Sequence, residues 1–464
     1  MVAANREQDI PSISDDHSTS AMSVHLEKGL EVGGQPDQQN ATEFVAPESP
    51  HANLQPWEKL EASCPPVSPV PGPPPDGGLQ AWMTVLGAFC GLFVSFGWIN
   101  CIGVFQAYYE SHQLSHLSPS TIAWIPSLET FVMFFFGPLF GTLFDIYGPR
   151  WILLAGTLLH VFGLMMASLS TDYYQFILSQ AICSPLGASA IFNASINSVS
   201  GWFAKRRAFA LGVAASGSSL GGVIFPIMLW LGNADMRLSY PLHAGNCNLT
   251  LRSRLKPQKM GFDIMAFVRP LHDLKFVLTV AAAFSFFWGM FLPFTFVITS
   301  GERYGMSQNM ASYLIPILNA ASIFGRTLPG YIADRIGRYN VMIIFSYLSG
   351  ILVLALWLPS RGNAPIIVFS ALYGFGSGAF VSLAPALIAQ ISDLREVGAR
   401  NGTCFSIISI AALTGSPIGG ALVPDMLHGS YTQLQVFCGV VMVAGATLFV
   451  AARIVVGGMN LKKV

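Results

Sequence analysis

The 464-residue chain carries 24 Lys and Arg against 24 Asp and Glu, a formal net charge of zero, with 52% of its residues hydrophobic and only 10% charged. A soluble domain carries about 25% charge, so this composition, with a mean hydropathy of +0.54, excludes a water-soluble fold and asks for a bilayer as solvent. The absence of a basic excess gives no footprint for nucleic acid.

Residues 1–81 begin polar and end in the proline cluster Cys64–Pro75 and the Asp76-Gly77-Gly78 turn. They hold too little apolar surface to offset their ordering entropy, so the expectation is a disordered cytoplasmic tail. No basic start precedes a short apolar run, which leaves the first membrane span to act as the targeting signal. Apolar runs long enough for a hydrocarbon core of about 30 Å then follow at 82–109, 119–143, 151–170, 174–199 and 208–230. After a polar and basic stretch, 231–274, six more follow at 275–300, 309–329, 340–358, 364–390, 401–423 and 433–456, with a tail at 457–464. The cysteines, Cys64, Cys90, Cys101, Cys183, Cys247, Cys404 and Cys438, form no CxxC pair. They read as small core residues, with no disulfide framework, metal or cofactor implied.

Between the second and third spans lies GTLFDIYGPR, Gly141 to Arg150, and between the seventh and eighth lies GYIADRIGR, Gly330 to Arg338. Asp145 and Asp334 are 189 residues apart, and SGSSLGG at Ser216–Gly222 returns as TGSPIGG at Thr414–Gly420. A charged seam that recurs between apolar runs is the mark of a duplicated helical bundle. The all-α membrane fold expected is therefore two pseudo-symmetric bundles, 82–230 and 275–456.

Five spans and six do not balance. With a cytoplasmic tail, the span 208–230 ends outside, whereas Arg252, Arg254, Lys256, Lys259, Arg269 and Lys275 belong inside by the positive-inside rule. Residues 231–250 must therefore cross back, yet they contain Asp235, Arg237, Pro241 and His243, and each central charge costs about 2.5–3.5 kcal/mol to insert. Two readings fit: a sixth helix lost from the sequence through a gene-model error, or a re-entrant piece shielded by protein. With that crossing restored, the outer loops hold only Arg237, Arg303 and Arg361, and both termini face the cytoplasm.

Two bundles of nominally six helices, the GxxxDxxGxR turn with its echo, and a long basic central loop resemble the major facilitator superfamily. Asp76-Gly77-Gly78 with Trp82 and Gly87-Ala88-Phe89 is similar to the monocarboxylate transporter signature, and WFAKRRAFALG at Trp202–Gly212 to its fungal branch. In that branch NxTLRSRL ends the sixth helix; here NLTLRSRL at Asn248–Leu255 lacks the apolar run before it. The resemblance, over Asp76 to about Val456, implies twelve helices where eleven are clear, and alternating access around a midplane site. It implies a small-molecule cargo, proton coupling by symport or antiport, and a monomer in the plasma membrane. The cargo expected is a small organic acid or related metabolite, with export of a secondary metabolite as plausible as uptake. A non-transporting receptor of the same fold and a non-functional truncated gene model are the alternatives. No nucleophile, acid and base set points to an enzyme.

Arg326, inside the span 309–329, falls where the family carries an arginine that resembles a clamp for the substrate carboxylate; an arginine reaching back to the cytoplasmic edge is the other reading. The family's acid one turn earlier is Ser322 here, and its lysine in the first span aligns with Asn100. Those departures point away from proton-coupled lactate transport and toward a larger or neutral metabolite. Asn319 and Asn193 complete the binding candidates, with Asn197 one turn after Asn193. Glu129, the acid deep in the second span, is either a proton-coupling site or a hydrogen-bonded structural residue. His160 reads as a packed core histidine. Gly141, Asp145 and Arg150, with Gly330, Asp334 and Arg338, form the expected conformational latches, carboxylates that meet a facing helix N-terminus or an arginine in one state and lose it in the other. Asn248 is a glycosylation acceptor only if no sixth helix exists.

Overall fold

The computed structural model describes residues 74–230, 250–254, 265–393, 395–423 and 429–458. Among these every regular element is a helix, and eleven are long: α1 (Leu79–Gln106), α2 (Trp124–Tyr147), α3 (Pro149–Leu169), α4 (Tyr173–Trp202), α5 (Arg207–Trp230), α6 (Leu274–Arg303), α7 (Leu314–Ile336), α8 (Arg338–Trp357), α9 (Asn363–Gln390), α10 (Val397–Ala421) and α11 (Thr432–Gly457). Ten of them are long and apolar enough to cross a membrane; α7, which carries Arg326, Asp334 and Arg335, is the exception. All eleven expected spans are present, and α1 starts three residues before the expected 82.

The seams are one-residue links. Gly148 (φ 75°) joins α2 to α3 and Gly337 (φ 108°) joins α7 to α8. The left-handed backbone that turns the chain so sharply favours a residue with no Cβ, which is why the repeated motif keeps glycine after its aspartate. Proline sets other features. Pro149 opens α3, where its missing N–H would have had no partner. Pro293 lies just beyond the break at Phe291 that divides α6 into Leu274–Met290 and Leu292–Arg303.

α1–α5 form one bundle and α6–α11 the other. They meet along α5 with α7 and along α2 with α10, an exchange of equivalent helices expected of a duplicated chain. The two seams lie on one side, here termed the seam face, because Asp145 reaches the start of α10 and Asp334 the start of α5. α5 is 24 residues long, about 36 Å, so Trp230 ends at the opposite, far face. Trp202 Nε1, at the seam end of α4, donates to the Arg252 carbonyl at 2.9 Å, and Leu251 lies against Gly87 of α1. The described flanks of the 231–249 stretch therefore sit on opposite faces, as the charge count requires. The stretch itself, with the two readings of a sixth helix and the acceptor Asn248, lies outside the described residues, as do 1–73 and 459–464.

The two halves differ where the sequence is unbalanced. In the second, α11 packs along α6 and α8. The corresponding position in the first half is beside α1 and α3, and no described long helix fills it. α3 is the least buried of the spans, with Trp151, Leu158, Phe162 and Leu169 exposed.

Asp76 belongs to the fold and not to the tail. Its carboxylate accepts from the backbone N–H groups of Ala204, Lys205 and Arg206 at 2.7, 2.7 and 3.3 Å. It thus satisfies donors at the turn into α5 that would otherwise lack partners, and its negative charge suits that helix N-terminus.

Candidate functional site: a guanidinium in a phenylalanine cage

Arg326 sits near the middle of α7, twelve residues from its start and ten from its end, so about 15 Å of helix separates it from either face. It is 1% exposed. Its side chain crosses to the first bundle: Nη1 donates to the Ala215 carbonyl at 2.8 Å and to the Ser218 hydroxyl, and Nε donates to Ser322 Oγ at 3.2 Å. The guanidinium lies 5.7 Å from the centre of the Phe96 ring. No described carboxylate pairs with it. The reading in which Arg326 reaches back to the membrane edge is not what the structure shows.

From Phe96 a cluster of phenylalanines extends through the midsections of six helices of the two bundles. Phe96 of α1 meets Phe134 of α2 at 5.8 Å, Phe192 of α4 at 5.9 Å and Phe291 of α6 at 6.2 Å between ring centres. Phe134 also meets Phe287 of α6 and stacks on Phe405 of α10, while Phe287 meets Phe380 of α9. Centroid separations of 4.5–7 Å are those at which aromatic pairs attract. The crevice beside Arg326, walled by Phe96, Asn100, Phe291, Phe294 and Ser322, is too small for a water-sized sphere.

Of the five binding candidates, three meet here: Arg326, Ser322 and Asn100 line one crevice. The Asn100 amide donates to the Ser218 carbonyl at 3.0 Å, while its Oδ1 has no partner. Asn319 lies elsewhere, pressed against Gly222 at the α5–α7 contact with its amide bonded to Ile315 O. Asn193 donates to Ser189 O of its own helix. Its neighbour Asn197 accepts from Asn401 at 3.0 Å across the two bundles. His160 is a bonded core histidine, its ring nitrogens 3.0 and 3.2 Å from the carbonyls of Ser184 and Val94. The phenylalanines were not foreseen, since a phenylalanine in an apolar span carries no mark of whether it faces lipid or cavity.

Glu129 is 1% exposed on α2 and accepts from Gln180 Nε2 of α4 at 3.1 Å. Gln180 Oε1 accepts from the Tyr109 hydroxyl. Gln180 and Tyr109 in turn line a cavity of about 580 Å³ at the far face, walled also by Trp98, Phe105, Phe176 and Glu302.

At the seam face the bundles are shut. Asp334 accepts from Ala208 N and Phe209 N at 3.2 and 2.8 Å, and pairs with Arg338 at 3.1 Å. Arg338 donates onward to the Ala204 carbonyl at 2.6 Å. Asp145 accepts from Ala399 N at 3.2 Å, but Arg150 is exposed and makes no bond to it, so the second seam has an arginine bridge and the first does not. Gly141 lies so close to α10 that a Cβ there would collide with the Gly398 carbonyl, and a Cβ on Gly330 would stand 2.5 Å from the Ala208 carbonyl. Arg207, part of the WFAKRRAFALG stretch, ties α5 to α9 by donating to the Ala389 carbonyl at 2.9 Å.

A closed face, a cavity at the other and a buried cation between two like bundles are the parts of an alternating-access carrier. The family model described as Major Facilitator Superfamily matches residues 80–244 and 268–457. The chain belongs to the major facilitator superfamily. This facilitator is 49% identical over 423 residues to MFS-type transporter 1 of Ophiocordyceps sp., covering 89% of this chain and 94% of that protein. It is 53% identical over 390 residues to an MFS-type transporter of Gibberella moniliformis, with 82% and 92% covered. It is 45% identical over 391 residues to the Fujikurins efflux protein of Gibberella fujikuroi, with 82% and 84% covered. Among solved structures, the human organic anion transporter MFSD10 shares the fold, with a TM-score of 0.66 and 17% identity over 80% of this chain and all of that one. The transporter FucP in its outward conformation does so at 0.60 and 16%, over 81% and 99%. The protein is thus a multi-pass membrane transporter.

Proposed function

We propose that this facilitator exports a largely apolar organic anion, driven by protons, with the seam face in the cytoplasm and the far face outside. The observation that carries this reading is Arg326, a cation in the middle of the membrane with no described carboxylate partner, beside Phe96, Phe291 and Phe294. A buried guanidinium is expensive unless an anion meets it, and rings contributed by both bundles give apolar contact to the body of the same molecule. The exchange of the family's lysine for Asn100 and of its acid for Ser322 leaves a site of one positive charge and several neutral polar groups, suited to a single acidic function on a hydrophobic frame.

Three further points bear on the orientation, the size of the cargo and its export. The basic loops gather at the seam face, as cytoplasmic loops do. The far-face cavity is about twenty times the volume of one water molecule, room for more than a two- or three-carbon acid. Relatives at 45% and 41% identity are named for efflux, of fujikurins in Gibberella fujikuroi and of aspyridones in Emericella nidulans. The unit we propose is a monomer in the plasma membrane, with Glu129 the site that carries the proton and the seam aspartates the latches.

The test is flux in proteoliposomes of a graded series of radiolabelled aryl carboxylates and their methyl esters, with and without a proton gradient. Arg326→Gln should abolish carboxylate flux, and Arg326→Lys should retain part of it. Equal flux of acid and ester through the wild type, or carboxylate flux unchanged in Arg326→Gln, overturns the anion reading.

A further inference from the structure

The hydrogen-bonded row Tyr109, Gln180 and Glu129 ties a buried acid to the wall of the far-face cavity. Resting on the reading above that Glu129 carries the coupled proton, we propose that Gln180 is the gate through which Glu129 exchanges that proton with the far-face cavity.

The geometry is one-sided. Gln180 and Tyr109 line the cavity and Glu129 does not. Between the acid and the cavity stands the Gln180 carboxamide, which donates through Nε2 to Glu129 Oε2 and accepts at Oε1 from the Tyr109 hydroxyl. Trp98, also on the cavity wall, is a second side chain placed near the carboxyl. The ionisable groups facing Glu129 from α1 and the helical turn that continues it are Cys101 and Tyr109. α4 carries no Asp, Glu, Lys or Arg between Tyr173 and Trp202, and α10 carries none from Asn401 to Ala421. Glu129 makes no ion pair with a described residue. An acid so placed, without a cation, is suited to exchanging a proton and not to a static salt bridge.

The backbone under Gln180 is also unusual. Gln180 is the middle residue of a π-helical segment, Ile177–Cys183. Such wide turns are rare and occur disproportionately at functional sites. This one rotates α4 so that Gln180 faces α2 while Phe176, before it, faces the cavity and packs on Tyr109 at 4.5 Å between ring centres.

A carboxamide in this position also reads the state of its neighbour. An ionised carboxylate only accepts, so Gln180 presents its NH₂ to Glu129 and its carbonyl to Tyr109, as observed. A protonated carboxyl donates from one oxygen, and the best partner is then the amide oxygen. The carboxamide turns over, its NH₂ faces Tyr109, and the Tyr109 hydroxyl is released to donate into the cavity. Protonation of a group the cargo never touches thereby alters a hydroxyl that it can touch.

The test uses dicyclohexylcarbodiimide, an apolar reagent that adds to protonated carboxyl groups, on the full-length transporter in proteoliposomes, with Glu129 modification followed by mass spectrometry. Wild-type protein should label slowly at Glu129, and Glu129→Gln should lose that adduct. Gln180→Ala should label about tenfold faster, the factor that one hydrogen bond to a carboxylate is worth. Tyr109→Phe, which removes one hydroxyl and keeps the packing, should label faster than wild type by a smaller factor and guards against misfolding of the alanine variant. Equal labelling rates in the wild type, Gln180→Ala and Tyr109→Phe overturn the gate but leave Glu129 as the proton site. Wild-type flux that ignores the proton gradient overturns the coupling reading beneath it.

Discussion

Substituting Gly141 by alanine should push the transporter out of the state described here. The new methyl group would collide with the Gly398 carbonyl, a backbone atom at the start of α10 that no rotamer change can move aside. Overpacking of this kind costs about 1–3 kcal/mol, and it falls only on the state in which α2 and α10 touch. The gain in helix propensity from replacing glycine, about 1 kcal/mol, is common to both states and cancels. The equilibrium between closed and open seam should therefore shift by a factor of about 5 to 150. Tyr147 and Ile336 end α2 and α7 in opposite bundles and are 61% and 47% exposed, so spin labels there report the opening of the seam by pulsed electron resonance. The variant should enrich the long-distance population, and Gly330→Ala at the other seam should do so independently, the two adding approximately. A distance distribution unchanged by either substitution, in protein of normal helix content, would refute the reasoning.

Asp334→Asn removes the carboxylate that holds two N–H groups of α5 and Arg338; bonds to charged groups are worth about 1.5–3 kcal/mol each, so the same labels should show the seam opened more than tenfold. Arg150→Ala, which removes an exposed side chain with no bond to Asp145, should leave that distribution within about 0.5 kcal/mol of wild type. Asp76→Ala deprives three backbone donors of their acceptor and should cost about 1–2 kcal/mol, read as a lowered unfolding temperature in detergent. Phe291→Ala takes one ring from the crevice beside Arg326 and should raise the flux of the largest carboxylates in the graded series relative to the smallest.

The spans were legible because hydrocarbon imposes its own length on the sequence. The seams were legible because a charge between two apolar runs stands out, and repetition confirms it. Arg326 was visible for the same reason. The phenylalanine cluster that begins beside it at Phe96 was not: Phe134 is 1% exposed and Phe135, its neighbour, 45%, yet both are phenylalanines in one apolar run. Which of them faces the cavity depends on the rotation of α2, which only packing fixes. Gln180 was hidden in a different way, since a wide turn in α4 displaces side chains from the 3.6-residue pattern on which a sequence reading relies. The two seams look alike in sequence and differ in the fold. Arg338 follows Asp334 by four residues and can pair with it along the helical turn, whereas Arg150 follows Asp145 by five, after a proline, and is exposed without a bond to it. Asp76, with a positive φ of 54°, reads as the end of a polar tail until its carboxylate is seen capping the turn into α5.

The claim on which the rest depends is that transport requires the two bundles to part at the seam face. Phe209 of α5 and Tyr331 of α7 touch across it with ring centres 5.8 Å apart, so a Phe209→Cys, Tyr331→Cys pair can be joined by a short bis-methanethiosulfonate bridge. Carboxylate flux in proteoliposomes should stop when the bridge forms and return when a reductant cuts it, while each single variant treated alike keeps its flux. Undiminished flux through the bridged protein would contradict the account.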